Sequence, residues 1–136
     1  MKFKKIKVLG KGSYGKVYLV EDDKTKDMFA LKKINKDKDS YISFNTEVNL
    51  LKHIDHQNII KLYDFYENDF SLNIVLEYAE KGTLYNIIEK NKRISKKFQK
   101  KELNNIISSI SNGLEYLHNK KIIHRDIKPE NILVAK

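Results

Sequence analysis

The stretch Ile123-His124-Arg125-Asp126-Ile127-Lys128-Pro129-Glu130-Asn131 brings a carboxylate, an ammonium and a carboxamide close together along the chain. Asp126 is placed to accept a proton from an attacking hydroxyl. Lys128 can neutralise a phosphoryl group during transfer, and the amide oxygen of Asn131 can serve a hard cation such as magnesium. A polar loop that caps a helix explains any one of these residues, but not all of them at this spacing.

A second cluster lies far upstream. Gly10-Lys11-Gly12-Ser13-Tyr14-Gly15-Lys16-Val17, with Leu9 before it, has the form of a phosphate-binding loop, in which missing side chains let backbone N–H groups approach phosphate oxygens. Glycines that serve only a hairpin turn are the plainer reading. A dinucleotide-binding fold shares the spacing but needs a helix at once, whereas Val17-Tyr18-Leu19-Val20 continues as strand. In Phe29-Ala30-Leu31-Lys32, Ala30 and Lys32 fall on one strand face, so a small residue that admits a flat base stands beside a charge for phosphates. Glu47 is the one Glu between Lys32 and Asn58 and can pair with that lysine.

These groups need a scaffold. Strand patterns run over Ile6–Leu9, Val17–Val20 and Met28–Ile34, which predicts an antiparallel meander with a polar turn at residues 21–26. Phe44, Val48 and Leu51 recur at helical spacing and predict a helix over Ser43–His53. Two more strands are expected at Ile60–Glu67 and Leu72–Tyr78, joined through Asn68-Asp69. Beyond Gly82 the period is helical, short around Leu84, Ile87 and Ile88, then long from Leu103 to Leu117. A hinge is expected near residues 79–82.

Composition narrows the class. With 136 residues, 40% hydrophobic and 33% charged, one proline and five glycines, the chain reads as globular. The absence of cysteine excludes disulfides and thiolate metal sites. No apolar run approaches the roughly 20 residues that span a bilayer. Neither a signal peptide nor a membrane segment is expected, and a cytoplasmic, intracellular setting fits best. The net charge of +9 invites a nucleic-acid reading. The charge is mostly dispersed, however, and its densest runs, Lys90 to Arg93 and Lys96 to Lys101, are expected between helices as solvated surface, so no nucleic-acid partner is expected.

Taken in order, these motifs resemble the eukaryotic protein kinase superfamily from about Phe3 to Val134. Lys128-Pro129-Glu130 after Asp126 is similar to the serine/threonine branch. The resemblance implies an α+β, two-lobed fold: an ATP-binding small lobe of five antiparallel strands and one main helix at residues 1–79, and the start of a helical large lobe at 80–136. It implies ATP and Mg2+ as cofactors and a protein substrate with a Ser or Thr acceptor. Asp126, Lys128 and Asn131 would be catalytic, Asn131 also a metal ligand. Leu9, Gly10, Lys11, Gly12, Ser13, Tyr14, Gly15, Lys16, Val17, Ala30, Lys32, Glu47, Glu77, Ala79 and Leu133 would hold the nucleotide. Leu76-Glu77-Tyr78-Ala79 resembles the hinge, with Leu76 as gatekeeper, and His56-Gln57-Asn58-Ile59-Ile60 resembles the loop after the regulatory helix; Leu51, Leu62 and His124 would belong to a regulatory spine. The separation of Lys32 and Glu47, 15 residues, is shorter than is usual in kinases and implies a trimmed linker.

A kinase continues beyond such a catalytic loop to an Asp-Phe-Gly motif and an activation segment. The 136 residues contain neither, so the resemblance implies a truncated domain, inactive alone, with much of the long helix's apolar face uncovered. A nucleotide-binding or interaction fragment without turnover is the alternative.

Overall fold

The computed structural model describes residues 2–135, which fall into two compact units. The first comprises Met1–Asp55 and Ile60–Tyr78, the second His56–Ile59 and Ala79–Lys136.

The first unit contains β1 (Phe3–Gly12), β2 (Gly15–Asp22), β3 (Met28–Asn35), α1 (Lys38–Leu51), β4 (Leu62–Glu67) and β5 (Ser71–Glu77). All neighbouring strands are antiparallel, in the order β1-β2-β3-β5-β4. The first three strands form the expected meander, and β5 then inserts between β3 and β4. As an interior strand β5 is covered on both faces, and Ser71 through Val75 are all buried. On one face α1 sets Phe44 and Val48 against Ile34, Leu72 and Ile74. On the other, Val20, Phe29, Leu31 and Val75 gather with the partly buried Phe3, Tyr18 and Tyr66. Complete burial of such aliphatic side chains contributes roughly 1.5–3 kcal/mol each before entropy is subtracted.

Two short-range devices set the element ends. The Asp22 carboxylate accepts the N–H groups of Lys24 at 2.8 Å and Thr25 at 2.9 Å, closing the β2–β3 turn. At the start of α1, Asp37 accepts the Ser40 N–H at 2.8 Å as N-cap. The helix therefore begins at Lys38, five residues earlier than apolar periodicity predicts, and ends at Leu51 rather than His53. Its first turn, Lys38 to Ser40, is polar, and the Tyr41 and Ile42 that follow are exposed, so this stretch carries no signal of a buried face.

The second unit holds α2 (Leu84–Arg93), α3 (Lys100–Asn119) and a 3-10 turn at Pro129–Asn131. Thr83 caps α2 through the Asn86 N–H at 3.1 Å. Glu102 reaches back to accept the Gln99 N–H at 2.8 Å at the head of α3. The loop at residues 56–59 packs on α3 where Gly113 has no side chain: a Cβ there would lie 3.2 Å from the Asn58 carbonyl oxygen. One turn further on, the His56 ring lies 4.8 Å from that of Tyr116. Leu103 and Ile107 on α3 are exposed.

The basic runs are placed differently from expectation. Lys90, Lys92 and Arg93 belong to the last turns of α2, and Lys100 and Lys101 open α3. Lysines near a helix C-terminus complement its negative end, which is why α2 extends through them. No helix among the described residues is long and apolar enough to cross a membrane.

Candidate functional site

In the first unit the glycine-bearing segment is the β1–β2 hairpin itself. Gly12 pairs with Gly15, Lys11 with Lys16, and Gly10 with Val17, while a register shift between Val8 and Gly10 isolates Leu9. Ser13 and Tyr14 form the tip. Gly15 has a φ of +140°, and a Cβ on it would run into the Lys33 carbonyl oxygen, so only glycine fits. Around Gly10, by contrast, a Cβ would meet nothing within 4 Å, so this stretch of backbone is open to approach.

On β3, Lys32 pairs in register with Val17 of β2 and Ile74 of β5, and Ala30 with Leu19 and Leu76. The strand alternation sends Lys32 and Ile34 to the face covered by α1. Glu47 precedes the buried Val48 on α1 and meets Lys32: Nζ lies 2.6 Å from Oε2, with about a quarter of each side chain still accessible. The ammonium also stands 5.1 Å from the centre of the Tyr14 ring. That ring occupies the space a Cβ on Gly12 would need. Lys32 thus has a carboxylate and an aromatic face as neighbours, a polar setting that keeps a cation available to phosphate oxygens. Glu77 closes β5, its N–H donating to the Lys61 carbonyl at 2.9 Å.

The second unit holds the downstream residues. Asn131 Nδ2 donates to Asp126 Oδ2 at 2.8 Å and to the Asp126 carbonyl at 3.0 Å. With its nitrogen so committed, the amide oxygen of Asn131 remains as a neutral acceptor that suits a hard cation. Lys128 Nζ lies 3.4 Å from Asp126 Oδ1. The Asp126 N–H donates to His124 Nδ1 at 3.2 Å, and Arg125 between them takes a φ of +68°, a left-handed backbone that a non-glycine residue adopts at a cost. The loop therefore draws Asp126, Lys128 and Asn131 into mutual contact, with all three side chains exposed.

What fixes this loop was not evident from the motifs. Gly82, at a φ of +73°, turns the chain so that its carbonyl accepts the Val134 N–H at 2.8 Å, while Lys81 N–H reaches the Val134 carbonyl at 3.0 Å and Leu84 N–H the Ile132 carbonyl at 2.8 Å. Thr83 and Leu133 form the bridge between the two segments. Ala79 accepts the Gly82 N–H at 3.1 Å, so the stretch from Ala79 to Leu84 pins the residues that follow Asn131. The glycine of this turn was the one available signal. Tyr14 over Lys32, and the Glu67 carboxylate shared by Lys36 and Tyr41, also had no sequence signature.

The family model described as protein kinase domain matches residues 3–136. The chain belongs to the protein kinase family. It is 39% identical to an Aurora kinase of Schizosaccharomyces pombe over 133 residues, covering 95% of this chain and 36% of that protein. It is 40% identical to calcium-dependent protein kinase 4 of Plasmodium falciparum over 139 residues, covering 97% of this chain and 25% of that protein. Aurora kinase B of Mus musculus is 37% identical over 132 residues, covering 93% and 37%. The chain spans two-fifths or less of the length of these relatives. Protein kinases as a family use ATP with magnesium.

Proposed function

We propose that these residues form the nucleotide-binding lobe and catalytic loop of a serine/threonine protein kinase, which transfers the γ-phosphoryl group of magnesium-ATP to a Ser or Thr hydroxyl of a protein. The observation that carries this reading is the 2.6 Å pair of Lys32 and Glu47, which holds one ammonium on the sheet face beneath the β1–β2 hairpin. In this reading residues 1–79 bind ATP. Backbone N–H groups between Gly10 and Gly15 cradle phosphates, Lys32 supplies charge, Leu9, Val17 and Ala30 enclose the base, and Glu77 meets its edge. In residues 80–136, Asp126 accepts the proton of the attacking hydroxyl, Lys128 neutralises the transferring group, and Asn131 offers its oxygen to magnesium. The contact of Asn131 with Asp126 supports a shared site, since one side chain orients the other.

The test joins residues 1–136 to the downstream half of a serine/threonine kinase domain and measures transfer from radiolabelled ATP to a peptide panel. Phosphoserine and phosphothreonine that Asp126→Asn nearly abolishes, with ATP binding kept, is the expected result. Undiminished transfer by the variant contradicts the role of Asp126, and labelling of tyrosine alone contradicts the branch.

A further inference from the structure

The catalytic reading leaves the basic segment after Gly82 unused. Seven of the nine charged residues from Glu89 to Glu102 are basic. Among the described residues only Lys92 of these seven has an acidic partner, Glu89 at 2.8 Å. The remaining six cations are exposed and form no ion pair among the described residues.

Two of them, Lys90 and Arg93, line a shaped surface. Tyr85, Asn86, Glu89, Lys90, Arg93 and Ile94 recur at helical spacing along one side of α2 and line a shallow cavity of about 410 Å³. Tyr85 is 44% and Ile94 61% exposed, so two large apolar side chains stand in water at its two ends, with Lys90 and Arg93 between them. One surface thus offers apolar contact at Tyr85 and Ile94 and positive charge at Lys90 and Arg93, a combination that an acidic segment with an apolar side chain complements.

We propose that this side of α2 is a docking site for an acidic peptide segment of a partner protein, one that carries an apolar side chain among its carboxylates. Charge complementarity selects the sign: carboxylates meet Lys90 and Arg93, and the Arg93 guanidinium can engage one of them with two parallel hydrogen bonds. Tyr85 and Ile94 select for the apolar residue. Glu89 argues against a nucleic-acid strand, because it stands within the stripe and repels an unbroken row of phosphates. A peptide can set its carboxylates opposite Lys90 and Arg93 and its apolar side chain against Ile94, and meet Glu89 with a backbone N–H. The proposal does not depend on the phosphoryl-transfer reading, since none of these six residues belongs to that machinery.

The test uses the 136-residue chain and a fluorescein-labelled peptide of alternating glutamate and leucine, followed by anisotropy. Saturable binding is expected, weakened roughly 10-fold or more by Lys90→Glu with Arg93→Glu. Ile94→Ser should weaken the leucine-bearing peptide several-fold and leave an all-glutamate peptide unchanged. In the unsubstituted chain, amide shifts on peptide addition should centre on residues 85–94, a readout independent of how the variants fold. Equal affinity of the double variant, or shifts centred elsewhere, overturns the proposal. So does tighter binding of a thymidine oligonucleotide or of phosphatidylserine vesicles than of the peptide, if the double variant abolishes it.

Discussion

Lys32 Nζ stands 2.6 Å from Glu47 Oε2 although only Lys36 and Asp37 link β3 to α1. This short connection does not prevent the pair. Asp37 caps the helix directly after the strand, which sets α1 in phase so that Glu47 faces Lys32 while Phe44, Val48 and Leu51 are buried. The partial exposure of both side chains keeps the pair's own stability modest, so it is better understood as fixing a charge than as holding the fold together.

Gly15 and Gly82 both have positive φ but should respond differently to alanine. At Gly82 a Cβ meets only Asn86 Nδ2 at 3.6 Å, an ordinary contact, so Gly82→Ala should cost about 1–2 kcal/mol for the left-handed backbone alone. Hydrogen exchange of the Val134 and Leu84 amides should quicken. At Gly15 the added atom collides with the Lys33 backbone, so Gly15→Ala should lower Tm considerably more; equal Tm values would contradict the geometry.

The Asp37 carboxyl is held below its ordinary value of 3.8 chiefly by the Ser40 N–H. A depressed folded pKa means stability that is present above the unfolded value and is lost as pH falls through the folded one. Thr25 and Lys24 N–H groups depress Asp22, and Lys36 and Tyr41 depress Glu67, so the same sign applies. Thermal melts should therefore fall as pH drops below about 4. Asp37→Asn keeps a capping oxygen and should match the parent at pH 7 while losing less Tm on acidification.

Ile74 is fully buried between α1 and the centre of the sheet. Replacement with alanine leaves a cavity and should cost about 2–5 kcal/mol in chemical denaturation. Ile42, 69% exposed on the same helix-and-sheet unit, should tolerate alanine with little change.

Taken alone, the 136-residue polypeptide should transfer no phosphate from radiolabelled ATP to a basic protein substrate. Asn131 gives magnesium a neutral oxygen, and magnesium surrenders its water reluctantly without a carboxylate. Activity that disappears in Asp126→Asn would refute this.

The strands were legible because β-branched and apolar residues alternate in them, and the site because its residue types are rare in combination. The order β1-β2-β3-β5-β4 was not legible: Leu72 to Tyr78 reads as a strand wherever it lies, and only the pairing of β5 with Asn35 through Phe29 makes it an interior strand. The early start of α1 depends on one aspartate, whose capping role is decided by where β3 ends. The end of α2 was missed because Lys90, Lys92 and Arg93 look like a loop by charge, while the helix dipole makes them good terminal residues. Tyr14 beside Lys32, and Gly82 beside Val134, join residues that local pattern cannot pair.

The central claim is that Lys32, held by Glu47, receives the phosphates of a nucleotide. Isothermal titration of the 136-residue chain with magnesium and a non-hydrolysable ATP analogue tests it most directly, beside Lys32→Ala and Glu47→Gln. The account predicts saturable binding that weakens at least several-fold in Lys32→Ala and less in Glu47→Gln, because the first removes a charged contact and the second only its orientation. Equal affinity of the parent and Lys32→Ala would contradict it.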